Sequence, residues 1–133
     1  MKLLLTSAGI KNDSIAKALE ELVGKTANGV RIAFIPTAAN VEEGDKGWLI
    51  EDYRNLKKRE YEVDIVDISA LPREMWEPRL KQANVIMVGG GNTFHLMYWL
   101  RKVGLDKLLP ELLKTRVYVG ISAGSMVVSK SIF

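Results

Sequence analysis

Val117-Tyr118-Val119-Gly120-Ile121-Ser122-Ala123-Gly124-Ser125-Met126 begins as an apolar, β-branched run, passes through Gly-x-Ser-x-Gly and continues into residues of helical character. A serine with glycines two residues before and two after it suits a nucleophile elbow, a strand-to-helix turn tight enough to be strained. The small residues let the backbone fold back without clash and leave the Ser122 hydroxyl clear at the carboxyl end of the strand. The free amides of the next helix, with the positive end of its dipole, then lie beside the place where an oxyanion would form.

Working outward from that turn, strands and helices alternate. Asp106 to Leu113 reads as a helix broken or started around Pro110, and Phe94, Met97, Tyr98 and Leu100 mark another before it. Asn84 to Val88 is a fully apolar strand running into Gly89-Gly90-Gly91-Asn92-Thr93. Leu71 to Gln82 holds Pro72 and Pro78 and predicts a short or broken helix. Glu62 to Ile68 alternates Val63, Ile65 and Val66 with acids, which suits a strand near a sheet edge. Gly44 to Lys58 predicts a helix with Trp48, Leu49, Tyr53 and Leu56 roughly on one side. Arg31 to Ile35 and Lys2 to Ser7 are the remaining strands. Between them Asn12-Asp13-Ser14 caps a helix carrying Ile15, Ala18, Leu19, Leu22 and Val23 up to Gly24. Five strands separated by helices predict a three-layer α/β domain over 1–133, flavodoxin-like, with a mainly parallel sheet covered on both faces. Chemistry in such sheets gathers beyond the carboxyl ends of the strands, where both glycine-rich turns fall.

The composition agrees with one globular domain: 133 residues, 47% apolar and 26% charged. There are no cysteines, which excludes disulfides, thiolate metal sites and a cysteine nucleophile and suits a reducing compartment. Met1 to Gly9 has one charged side chain and too short an apolar run for a signal peptide, and no window has the length of a membrane span, so a cytoplasmic location is expected. A net charge of +3 is mild, and the one basic cluster, Lys57-Lys58-Arg59, sits among Glu51, Asp52, Glu60 and Glu62 as a solvated helix face. No nucleic-acid or membrane partner, cofactor or metal is expected.

Gly89-Gly90-Gly91-Asn92-Thr93 admits three readings: a nucleotide phosphate loop, a structural turn, or a backbone-amide site serving the Ser122 cleft. The spacing departs from G-x-G-x-x-G and lacks the Lys-Ser/Thr of a P-loop. In the third reading, the one adopted, the Gly91 and Ala123 amides together hold the oxyanion of a tetrahedral intermediate. A serine hydroxyl also needs a base. His95, the single histidine, is the candidate, against the plainer account of a helix-face residue. Asp13, Glu43, Asp45 and Asp67 are candidate orienting acids that spacing does not separate, and Thr6, Ser7 and Thr37 are candidates for the rim. Ser125 reads as an ordinary helix residue.

Val88-Gly89-Gly90-Gly91-Asn92-Thr93-Phe94 and Gly120-Ile121-Ser122-Ala123-Gly124 together resemble the dipeptidase E family of serine peptidases, of which cyanophycinase is a relative. Ile35-Pro36-Thr37-Ala38 is similar to the end of that family's second strand. The resemblance covers nearly all of this chain. It implies a fold like class I glutamine amidotransferases, with serine replacing cysteine at the elbow, and hydrolysis after an amino-terminal aspartate in short peptides. It implies Ser122 as nucleophile, Gly91 and Ala123 as oxyanion amides, and Asn92 and Thr93 beside the substrate. In the family the catalytic histidine and its acidic partner follow the elbow serine, beyond the point where this sequence ends. The resemblance is therefore to the amino-terminal part of such an enzyme, and full activity from this chain alone is not expected, because triad members act as a unit.

Three functions stay open: a peptidase completed by further chain or by a complementing one, a non-catalytic remnant keeping the pocket, and a small anion- or nucleotide-binding flavodoxin-like module. A strand Val117 to Ile121 deprived of its outer neighbour would expose an apolar strand edge or helix-contact face, so self-association over that region is expected.

Overall fold

The structure, a computed structural model, describes residues 1–129, so the last four residues of the expected 1–133 domain lie outside it. Strands β1 (Lys2–Thr6), β2 (Arg31–Ile35), β3 (Glu62–Ile65), β4 (Val85–Val88) and β5 (Val117–Ile121) form a wholly parallel sheet in the order β1-β5-β4-β2-β3. Helices α1 (Asp13–Val23), α2 (Gly47–Lys57), α3 (Arg73–Gln82), α4 (Thr93–Val103), α5 (Leu105–Leu112) and the short α6 (Ala123–Met126) join and cover the strands. The expected three-layer α/β architecture is borne out.

Because β4 and β5 are interior strands, all of their residues are buried, and the two-residue pleat divides them between two cores. Val85, Met87, Val117, Val119 and Ile121 pack with Ala16 and Leu19 of α1 and Leu56 of α2. Ile86, Val88 and Tyr118 pack with Leu80 of α3, Leu96 and Leu100 of α4, and Leu105 and Leu109 of α5. Local signals set the helix ends. Asn12 accepts the Ile15 amide at the start of α1, and Gly24 closes that helix in the left-handed conformation, φ 78°.

Two expectations are corrected. First, α3 and α5 run unbroken through Pro78 and Pro110. A proline inside a helix removes one hydrogen bond, but Trp76 and Leu80 on either side of Pro78, like Leu109 and Leu112 on either side of Pro110, are buried, and that burial holds the turn together. Second, Val117 to Ile121 has neighbours on both sides, pairing with β1 and β4. The open edges belong to β1 and β3. The apolar exposure expected at β5 falls instead on β1, where Leu3 is 36% and Leu5 48% exposed. Among the described residues no helix is long and apolar enough to cross a membrane.

Candidate active site

The carboxyl ends of β1, β5 and β4 lie side by side, and each opens into a turn of small residues: Ser7-Ala8-Gly9, Ser122-Ala123-Gly124 and Gly89-Gly90-Gly91. Ser122 holds φ 53° and ψ −106°, a conformation that L-residues with side chains rarely adopt. The flanking glycines make it possible. A Cβ at Gly120 would lie 2.7 Å from the Ser125 amide nitrogen, and one at Gly124 would run into the Val88 carbonyl oxygen.

The bend is laced to its neighbours by hydrogen bonds. The Ser122 amide donates to the Thr6 carbonyl (2.9 Å), and the Ser125 hydroxyl donates to the same oxygen (2.8 Å) while accepting from the Thr6 amide (3.1 Å). Thr6 in turn donates its hydroxyl to the Gly120 carbonyl (2.9 Å) and accepts from the Gly9 amide (2.9 Å). Inside the core, the Tyr118 hydroxyl donates to the Gly124 carbonyl (2.6 Å), and burial pushes that phenol above its ordinary pKa, so it stays a donor.

The triple-glycine turn stands directly opposite. A Cβ on Gly90 would lie 3.3 Å from the Ser122 Cβ and 3.8 Å from the Trp48 ring. Gly91 adopts φ +136°, and any side chain there would collide with the Ala38 backbone. Among the described residues, neither the Gly91 nor the Ala123 amide is used in a turn, loop or cap hydrogen bond. A cavity of about 310 Å³ is lined by Ser7, Ala8, Trp48, Asp52, Gly90, Gly91, Ile121 and Ser122. Ser122 is exposed within it, and Ala123 is buried behind as the first residue of α6.

The remaining candidates sit differently. Asn92 caps α4, its side-chain oxygen accepting the His95 amide (2.9 Å). Thr93 points its hydroxyl at the Met126 sulfur (3.9 Å) and lines a separate surface hollow with Phe94, Met97 and Tyr98. The His95 ring packs edge-on against Trp99, with centroids 6.4 Å apart, and is absent from the lining of the Ser122 cavity.

With this geometry in place, comparison with known proteins is decisive. The sequence profile of peptidase family S51 matches residues 3–133. The chain belongs to that family. Peptidase E of Shewanella oneidensis is 37% identical over 134 residues, an overlap covering 98% of this chain and 54% of that protein. An uncharacterized peptidase of Listeria monocytogenes is 34% identical over 110 residues, covering 78% of this chain and 51% of its own length. Among solved structures, a provisionally assigned peptidase E from Listeria monocytogenes EGD-e superposes with a TM-score of 0.85 at 32% identity, over 96% of this chain and 62% of that one. The chain thus spans about half the length of the curated relatives it matches. The dipeptidase E resemblance read from the two glycine motifs is borne out.

In this S51 chain the four orienting acids considered from the sequence are accounted for elsewhere. Asp13 pairs with Arg59 (3.0 Å), Asp45 accepts the Gly47 amide (2.8 Å), and Glu43 is exposed in a loop. Asp67 accepts the hydroxyls of Thr37 (2.9 Å) and Ser69 (2.7 Å) and the side-chain amide of Asn40 (2.8 Å). Burial acts to raise its pKa, but the hydrogen bonds from Ser69, Asn40 and Thr37 outweigh it and hold the carboxyl below the ordinary range. Thr37 is therefore a buried strut rather than a rim residue. Ser7 lines the cavity as expected. Ser125, read from the sequence as an ordinary helix residue, ties the elbow to β1.

Asp52 and Trp48 escaped notice in the sequence as site residues. They are four apart on α2, which puts both on the face turned to the cavity. The available signal was that i, i+4 pairing of an aromatic and an acid on a predicted helix. Burial, reinforced by neighbouring Glu51, raises the Asp52 pKa to about 6.

Proposed function

We propose that the chain is a serine peptidase of the dipeptidase E type, acting in the cytoplasm without metal or cofactor on short peptides with an amino-terminal aspartate. The observation that carries this reading is the strained Ser122, exposed in a cavity whose opposite wall is the triple-glycine turn. In the proposed reaction the Ser122 oxygen attacks the first peptide carbonyl as its proton passes to a base. The resulting oxyanion is held by the Gly91 and Ala123 amides, whose lack of a turn or cap acceptor supports the role. Collapse returns the proton to the departing amine and leaves an acyl-serine, which water hydrolyses. Asn92, with its backbone amide donated to the Ala38 carbonyl and its side-chain oxygen engaged in capping, offers its side-chain amide nitrogen to substrate, and Thr93 follows it in the chain.

Among the described residues no histidine lines the Ser122 cavity, so the reading assigns the base to further chain or to a complementing chain, and not to His95. A second copy of the chain against the open β1 edge is the proposed partner, supported by the exposure of Leu3 and Leu5.

Treatment with a fluorophosphonate, alongside Asp-Leu hydrolysis, tests the reading. Wild type is expected to label and Ser122→Ala to remain unlabelled, with any turnover lost in the variant. A wild-type chain that neither labels nor cleaves, alone or mixed with the unmatched part of a longer S51 relative such as peptidase E of Shewanella oneidensis, would overturn it.

A further inference from the structure

Among the described residues Asp52 is the one charged side chain lining the Ser122 cavity, and it has no hydrogen-bond or ion-pair partner. A half-buried carboxylate left unpaired is costly unless a bound group compensates it. It makes no hydrogen bond to Ser122, so it is not placed to take the serine's proton, and the open space between them belongs to a ligand. The Trp48 ring, one helical turn before Asp52, stands over the Gly90 side of the same space. An anion beside an aromatic face is the environment that receives an organic ammonium group.

We propose that Asp52, assisted by the Trp48 indole, receives the free α-ammonium group of a short peptide whose first carbonyl is presented to Ser122. The inference rests on the peptidase reading of the site and adds the group that selects a peptide's end over its interior. Size agrees with this role. A cavity of about 310 Å³ is at the small end of ligand sites, suited to one residue and its amino terminus. In the first residue of a peptide the ammonium is attached to the carbon next to the scissile carbonyl, so a partner for it must stand within the same small cavity as the nucleophile. Burial and neighbouring Glu51 raise the Asp52 pKa to about 6, which still leaves the carboxylate ionised and able to receive a cation at pH 7.5.

Isothermal titration calorimetry at pH 7.5 with Asp-Leu and N-acetyl-Asp-Leu tests this. It is done in a Ser122→Ala background, so that nothing is hydrolysed, with and without Asp52→Asn. The charge-assisted contact predicts about tenfold tighter binding of the free amine, with Asp52→Asn erasing the difference and leaving the acetylated peptide unchanged. Because Asp52 has no hydrogen-bond or ion-pair partner among the described residues, Asp52→Asn should keep the parent's circular dichroism spectrum. Equal binding of both peptides to the Ser122→Ala parent, or a preference that survives Asp52→Asn, would overturn the role of Asp52 while leaving the peptide site standing. Binding of neither peptide would overturn both.

Discussion

The buried hydroxyl of Tyr118 donates to the carbonyl of Gly124, 2.6 Å away, joining the middle of β5 to the helix that begins just past Ser122. The strand therefore clamps the bend that it leads into. Tyr118→Phe keeps the ring but leaves the Gly124 carbonyl without that donor, and a loss of about 1–3 kcal/mol is expected. Urea unfolding followed by circular dichroism measures it, and fluorophosphonate labelling of Ser122 should slow in parallel as the elbow loosens.

Ser122 holds its positive φ at a cost, because its Cβ crowds the backbone in that conformation. Ser122→Gly should raise stability by about 1–2 kcal/mol by relieving that strain, whereas Ser122→Ala, which retains the Cβ, should not. Unfolding midpoints of the two variants decide the matter. Equal midpoints would mean the turn is not strained.

The glycines separate into two classes. At Gly91 and Gly124 an added methyl meets backbone atoms that have nowhere to go, so alanine there should cost more than about 4 kcal/mol or prevent folding. At Gly24 the φ is also positive, but the space is open, and alanine should cost only about 1 kcal/mol. Soluble yield and thermal melting of the three variants check the ranking.

The Asp52 carboxyl titrates near pH 6 in the fold against an ordinary value of 3.8, and the sign follows from that. Between those values the native state holds the extra proton, so the contribution of Asp52 to stability falls as pH rises through the window and is level above it. Apart from Glu51 beside it on α2, no charged side chain among the described residues shares its surroundings in the cavity. Discounted for a carboxylate only half buried, Asp52→Asn should stabilise the protein by about 1 kcal/mol at pH 7.5 and not at pH 3.5. Urea titrations at both pH values read the difference.

If β1 pairs with a second copy, Leu5→Lys should disrupt the association by placing charge on the exposed face of an edge strand. Light scattering at high concentration is expected to show a dimer or larger species for wild type and a monomer for the variant. A wild-type monomer would end the proposal.

Much of this molecule is local, and local chemistry is visible in a sequence. The apolar runs at Val85–Val88 and Val117–Ile121, the cap Asn12 and the closing Gly24 each act within a few residues, so the strands, most helix limits and the α/β class were legible. The Gly-x-Ser-x-Gly pattern likewise announced its own bend, because those glycines are required by atoms nearby in the chain or by the strand next door. What the sequence alone did not determine was which strands are neighbours. β1 lies beside β5, more than a hundred residues away along the chain, and that pairing moved the open edge from Val117–Ile121 to Lys2–Thr6. Nor could spacing select an acid: Asp52 reaches Ser122's cavity only because α2 packs across the carboxyl ends of distant strands, while Asp67, equally plausible on paper, is consumed by Thr37, Asn40 and Ser69. The unbroken helices through Pro78 and Pro110 have the same origin, since burial of residues around each proline is set by the assembled core and not by the helix itself. Backbone preference acts over one turn of chain, whereas packing joins residues that the chain keeps far apart.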